Sequence, residues 1–277
     1  VQLGAYSELE ILSRMVKKYK KPVHLTFNSL YYIPEQYPEI AGIISQCMKI
    51  GFHSYIIADP ALMVYLRENG INCEIHLSGE CGEINSQMVA SLAKMRLKRV
   101  IFHRKNTFED MKAVVDKCGK KDGTEGVPEF EAFVLNEMCQ FTGAFCNSLH
   151  CDEMGYLCRV SYWLGTVRNG DAVPEKIMAL QEQAWDQEPD LKAYDESGYL
   201  CGETGCGLCA LYQLKQAGIT HLKLVGRGNY VDHMEKDIRN LRKALEILDA
   251  AENEREFKCT LKRIVFPAGC SGRCYYQ

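Results

Sequence analysis

Short β-rich runs recur along the first half of this chain, each followed by a stretch of helical period, and that alternation constrains the fold more than any other feature. The runs fall at 23–28, 54–59, 73–78, 99–104 and 129–134. Their separation of roughly 20–30 residues suits βα units. Helices are expected at 8–19, 38–50, 60–70, 84–96 and 107–118. In the fourth of these Met88, Val89, Leu92 and Met95 form one apolar face, and Thr107 before Glu109 and Asp110 reads as an N-cap with an acidic first turn. Residues 1–4 read as the remnant of a strand preceding the series. Repeated βα units imply parallel strands joined by right-handed crossovers. The expected class is α/β: a parallel, TIM-like (β/α) barrel, incomplete or distorted. A doubly wound sheet satisfies the same pattern, but no G-x-G-x-x-G follows the first strand, which weakens a dinucleotide-binding fold.

The second half reads differently. From about 135 to 210 the sequence is broken by Gly, Cys and acidic residues, an expected Cys-rich insertion. A late strand at 221–224 leads to Val225-Gly226-Arg227-Gly228. A long helix follows at about 231–252, with Ile238, Leu241, Leu245 and Leu248 as its apolar face. The expected organisation is a barrel with its insertion over 1–228, then a C-terminal helix and Cys-containing tail over 229–277.

With 277 residues, 47% of them hydrophobic, the chain can bury a sizeable core. Its net charge of −3 provides no general basic field for nucleic acid, so RNA as a substrate would need a local patch. Lys17, Lys18, Lys20 and Lys21 form one such run, which a solvated helix end explains as well. No stretch approaches the ~20 apolar residues of a membrane helix, and Val1-Gln2-Leu3-Gly4 does not open a signal peptide. The expectation is a cytoplasmic protein with no membrane partner.

The chain has 14 cysteines. Cys47, Cys73, Cys81 and Cys118 are scattered through the first half, and Cys47, Cys73 and Cys118 lie in apolar contexts that suit inert buried thiols. The remainder are Cys139, Cys146, Cys151, Cys158, Cys201, Cys206, Cys209, Cys259, Cys270 and Cys274. In a reducing compartment such a set points to metal or redox chemistry. Thiolates are soft ligands suited to an iron–sulfur cluster or zinc. Cys201-x4-Cys206-x2-Cys209 can place three sulfurs around one centre, whereas zinc favours paired C-x2-C knuckles, of which only Cys206/Cys209 makes one.

Several β-rich runs end in polar groups: Asn28, Asp59, His76 with Ser78, and His103 with Arg104. In a barrel these ends line the C-terminal mouth, where active sites are built. Such residues also cap the following helices. Arg104 and Arg227 can clamp a carboxylate or phosphate. Glu131, inside the fifth run, suits either catalysis or a buried ion pair.

Glu129-Phe130-Glu131-Ala132-Phe133-Val134, followed by Met138-Cys139 and Cys146, resembles the "E-x-E-x-F-x-H-G-A-M-C-x6-C" signature of the U-thirty-two peptidase family. Leu25-Thr26-Phe27-Asn28, Ala58-Asp59-Pro60, His76-Leu77-Ser78 with Asn85, and Ala217-Gly218-Ile219 through Lys223-Leu224-Val225-Gly226-Arg227 match further family segments, in order over most of 1–250. The resemblance implies a β/α barrel whose cysteines hold a [4Fe–4S] cluster. Carried over residue by residue, the ligands are Cys139, Cys146, Cys158 and Cys206, with Cys209 competing for the last place and Cys151 for the third. Beside the resemblance, the residues themselves make Glu131, His76 and Arg104 the catalytic candidates and Asn28, Asp59, His103 and Arg227 the candidate substrate contacts. The family's "H-G-A" reads Leu135-Asn136-Glu137 here, and the glutamate of its "E-G-R" is Val225. The extra cysteines Cys201, Cys259, Cys270 and Cys274 point to a divergent branch with a second metal site.

Better understood relatives are linked to oxygen-independent hydroxylation of RNA bases or ubiquinone precursors, some working in pairs. The leading expectation is therefore a redox enzyme, or enzyme subunit with a related-family partner, acting on a small molecule or nucleobase. A collagenase-like peptidase is the second reading. A non-catalytic cluster-bearing scaffold or electron-transfer partner is the third.

Overall fold

A computed structural model describes residues 5–82, 84–118, 128–136, 193–226 and 229–276. Its centre is a curled sheet of parallel strands, β1 (Leu25–Phe27), β2 (Ser54–Ile57), β3 (Glu74–Leu77), β4 (Leu97–Ile101), β5 (Glu129–Leu135) and β6 (His221–Leu224). Each strand pairs with the next in sequence, in the order β1-β2-β3-β4-β5-β6. With helices between the strands, this is a half-barrel, the incomplete α/β barrel expected from the alternation. The remnant strand at 1–4 lies outside the described residues, as does most of the segment 135–210.

The helices are α1 (Tyr6–Tyr19), α2 (Gln36–Ile50), α3 (Pro60–Glu68), α4 (Ser86–Ser91), α5 (Phe108–Cys118), α6 (Leu211–Gln216), α7 (Val231–Ala250) and α8 (Glu254–Val265). Local chemistry fixes their starts. Asp59 caps α3 by accepting from the Ala61 amide at 2.8 Å, with Pro60 in the first turn. Asn85 caps α4 by accepting from Gln87 and Met88. The Thr107 hydroxyl accepts from the Asp110 amide while Asp110 accepts from the Thr107 amide, closing the first turn of α5 reciprocally. The helix expected at 84–96 is shorter: α4 ends at Ser91 and tightens into a 3-10 turn over Leu92–Met95. Arg96, just beyond it, has a positive φ of 49°.

Alternation along the strands sorts side chains onto two faces. Tyr55, Ile57, Ile75, Leu77, Val100, Phe130, Ala132 and Val134 turn outward and, with Ile44, Leu62 and Leu66 from the helices, make the main core. Ile101, Phe133 and Val225 turn inward and make a second, smaller apolar group with Ile56 and Tyr275.

The C-terminal helices share the main core through Ala244, Ile247, Leu248, Phe257 and Leu261. One expectation needs correction here. Ile238 and Leu245, read as part of the apolar face of α7, are 57% and 36% exposed. The buried stripe is turned to Asp237, Ala244, Ile247 and Leu248. Asp237 can be buried because it accepts hydrogen bonds from Asn136 and from the Tyr199 hydroxyl, both at 2.7 Å. The Cys-containing tail holds α8, started by Asn253, which accepts from the Glu256 amide. Lys17 and Lys18 occupy the exposed last turn of α1, where cations complement the helix dipole. Among the described residues no helix is long and apolar enough to cross a membrane.

Candidate functional site

The inner face of the half-barrel is layered. At the N-terminal ends of the strands it is polar. Arg99 on β4 donates to Glu129 and Glu131 on β5, each at 2.7 Å. Lys98 reaches Glu129 at 3.0 Å, and Lys223 on β6 reaches Glu131 at 3.7 Å. The register Arg99↔Glu129 and Ile101↔Glu131 puts these charges side by side on one face. On the neighbouring strands His24 shares the Ser54 hydroxyl with His76, and His76 bonds Glu74 at 2.9 Å. Burial lowers the pKa of both imidazoles.

Burial works against ionisation of Glu129, but hydrogen bonds from Lys98 and Arg99 outweigh it and hold its pKa down to about 2. Because the folded value lies below the ordinary 4.5, this stabilisation is complete above pH 4.5 and is lost as pH falls toward about 2. Its size should be on the order of 1–2 kcal/mol after solvent screening of a side chain that is partly exposed. Urea unfolding of Glu129→Gln across that range should show a flatter acid limb than the parent.

Above the polar layer lies the apolar one of Ile56, Ile101, Phe133 and Val225, and above that the mouth. Arg104 is 7% exposed, lies 3.7 Å over the Phe133 ring, and has Glu80 at 3.5 Å. Its Nε and Nη1 make no hydrogen bond. The Tyr275 hydroxyl, beside Arg104, donates to the Asn136 carbonyl, and Tyr276 donates to the Phe133 carbonyl at 2.9 Å. His103 is fully buried and accepts from the Lys105 amide at 3.2 Å. Asn28 keeps a buried Oδ1 with no hydrogen-bond donor.

The sequence-derived candidates thus divide. Glu131 and His76 sit in the polar layer, and Arg104 and His103 at the mouth, so the three catalytic candidates do not form one constellation. Asp59 is occupied by the α3 cap and by the Tyr37 hydroxyl at 2.8 Å. Arg227 lies outside the described residues. Reading the sequence missed Arg99, Glu129, Lys223 and Tyr275. A signal was available for Glu129, which stands two residues before Glu131 in a β-rich run and must share its face.

Cys139, Cys146 and Cys158 lie outside the described residues, as does Cys151. Cys206 and Cys209 lie at the mouth. Cys206 bridges β5 at Leu135 on one side and Cys274 on the other. Its amide donates to the Arg273 carbonyl at 2.8 Å and its carbonyl accepts from Tyr275 at 2.9 Å. Gly202, at φ +66°, leaves room for it, since a Cβ there would stand 2.5 Å from the Cys206 Cβ. Cys206, Cys209 and Cys274 line one small cleft with Lys258 and Tyr276. Burial, then proximity to Cys201, Cys209 and Cys274, pushes the Cys206 thiol well up. Burial also raises Cys209, with Cys274 and Cys270 nearby, and raises Cys201 to about 12. The described cysteines are free thiols. Cys259 is set apart, exposed on α8. Cys47 and Cys73 are buried among core residues.

No curated protein matches the sequence. A solved structure, the U32 peptidase Mk0906, aligns at a TM-score of 0.37 and 13% identity, covering 47% of this chain and 52% of that one, so the chain spans about half its length. The sequence matches Peptidase family U32 over residues 3–273. That match runs through every described strand and through the cysteine-rich stretch of the sequence, and the chain belongs to Peptidase family U32.

Proposed function

We propose that this protein carries a [4Fe–4S] cluster at the barrel mouth and serves as a redox enzyme or subunit in oxygen-independent modification of a small molecule or nucleobase. The observation that carries the reading is the convergence of Cys201, Cys206, Cys209, Cys270 and Cys274, all reduced, beside the C-terminal ends of β5 and β6. Closely packed thiols raise one another's pKa, and a bound cation reverses that by stabilising thiolates. Soft thiolates suit a cluster. Cys206, or Cys209, would complete a ligand set with Cys139, Cys146 and Cys158. When bound, the cluster supplies electrons, or a Lewis-acidic iron if one position is free of protein.

The residues of the mouth do the remaining work. Arg104 is buried beside Glu80 at 3.5 Å, with Nε and Nη1 making no hydrogen bond, so it would bind an anionic group of the substrate, a carboxylate or phosphate. Phe133 holds its guanidinium plane, and Tyr275 borders it. The peptidase reading draws less from this site, because a cysteine nucleophile needs a lowered pKa and these thiols are raised.

Two measurements test the proposal. Anaerobically purified protein should be brown, absorb near ~400 nm and hold roughly four irons per chain. Colourless protein containing only zinc would overturn it. In Arg104→Gln, stabilisation by millimolar malonate or inorganic phosphate, followed by thermal shift, should weaken at least about tenfold, the lower end for a charged hydrogen bond. Equal stabilisation of both proteins would remove Arg104 from the binding role.

A further inference from the structure

The inner face holds a second donor set at the opposite end of the strands from the cysteines. His24 immediately precedes β1, and Glu74 and Ser54 open β3 and β2. One ligand atom from each of His24, Glu74 and His76 lies within 4.8 Å of the other two. The two imidazole centroids are 4.5 Å apart, tilted by 46°. The Ser54 hydroxyl stands between the rings, 2.7 Å from His24 Nδ1 and 3.2 Å from His76 Nε2. With one proton it can donate to one ring only.

We propose that His24, Glu74 and His76 form a binding site for a divalent transition-metal ion, distinct from the thiol centre and independent of the cluster reading. Two imidazoles and a carboxylate are a donor set that suits zinc or iron(II), and three protein ligands leave a position open for water or the Ser54 hydroxyl. A tetrahedral ion bound at ~2.0–2.1 Å needs its ligand atoms about 3.4 Å apart, within reach of small side-chain rotations from the observed spacing. Two further observations favour a cation here. His76 is 1% exposed and turns Nε2 to Glu74 at 2.9 Å and to Ser54 at 3.2 Å, so donor atoms already face one another away from bulk water. Among the described residues Glu74 also forms no ion pair with a lysine or arginine, while Arg99, Lys98 and Lys223 pair with Glu129 and Glu131. Glu74 instead bonds an imidazole and the Ser54 hydroxyl. The Glu74 side chain is 40% exposed, which gives an ion a way in.

The ion would tie the β1 edge to β3 across β2, since its ligands come from the first and third strands. The test uses full-length protein with its thiol centre as purified, dialysed against zinc and counted by elemental analysis. Wild type should retain one zinc that His24→Ala and Glu74→Gln lose, with affinity reduced at least about a hundredfold. Cys206→Ser should keep that equivalent, which separates it from any zinc held by thiols. In parallel, the ring 15N signals of His24 and His76 in wild-type protein should move on zinc addition, a readout that needs no variant to fold. Equal zinc retention in wild type and His24→Ala, or ring signals that stay put, would overturn the site.

Discussion

Serine at position 206 is expected to empty the mouth of iron. Cys206 is the thiol most tightly fixed by backbone: it joins the end of β5 through Leu135 and the tail through Cys274, with hydrogen bonds to Arg273 and Tyr275 on its two sides. Its sulfur position is therefore set by the sheet rather than by a mobile loop. Serine offers a hard oxygen of much higher pKa, a poor exchange for a soft thiolate on iron. Iron in anaerobically purified Cys206→Ser should fall from roughly four per chain to near background, together with the absorbance near ~400 nm. Cys259→Ser is the control, because Cys259 is exposed on α8 and should leave the iron count unchanged. Full iron in Cys206→Ser would remove this residue from the ligand set and turn attention to Cys209.

Arg99→Ala is expected to produce the largest loss of stability among the inner-face substitutions. The guanidinium is 14% exposed and bonds two carboxylates that stand next to each other on β5. Without it Glu129 and Glu131 repel each other, and Glu131, itself 9% exposed in its side chain, retains among the described residues Lys223 at 3.7 Å. Breaking a buried pair by removing one partner costs about 3–5 kcal/mol. Urea unfolding should record that loss. Arg99→Lys keeps the charge but not the planar fork, and should recover only part of it. The paired change Arg99→Leu with Glu131→Leu should come closer to wild type than Arg99→Ala alone, because it removes the most buried carboxylate of the layer together with its guanidinium. A loss below about 1 kcal/mol would mean that water screens this layer as it does surface pairs.

The strand-and-helix order was readable because each βα unit advertises itself locally. The β-branched and aromatic runs, the Asp59-Pro60 start of α3 and the Thr107 cap of α5 all act within a few residues. The helix face of α7 was misread because its burial is decided by partners distant in sequence. Asp237 is buried by Asn136 and Tyr199, which no periodicity can reveal. The mouth was half legible. Arg104 and His103 were marked by their place at a strand end. The approach of Tyr275 and Cys274 to Cys206 depends on a tail returning across the whole fold. Of the inner ion-pair layer only Glu131 was marked, and its partners were missed for a different reason. Charged letters in a strand suggest a solvated face, and only closure of the sheet makes that face an interior.

The strand order has a consequence for how the molecule comes together. β1 to β5 lie between residues 25 and 135, and each joins the neighbour made just before it. That part can grow by addition at one edge, with short chain closures at each step. β6 begins only at residue 221, so its docking onto β5 needs a far longer closure. Cys206 and Cys274 reach the rim on that same late step. On the cluster proposal, iron arriving early would meet a five-stranded template still lacking Cys206 and Cys274, and metal loading would be coupled to the final strand addition.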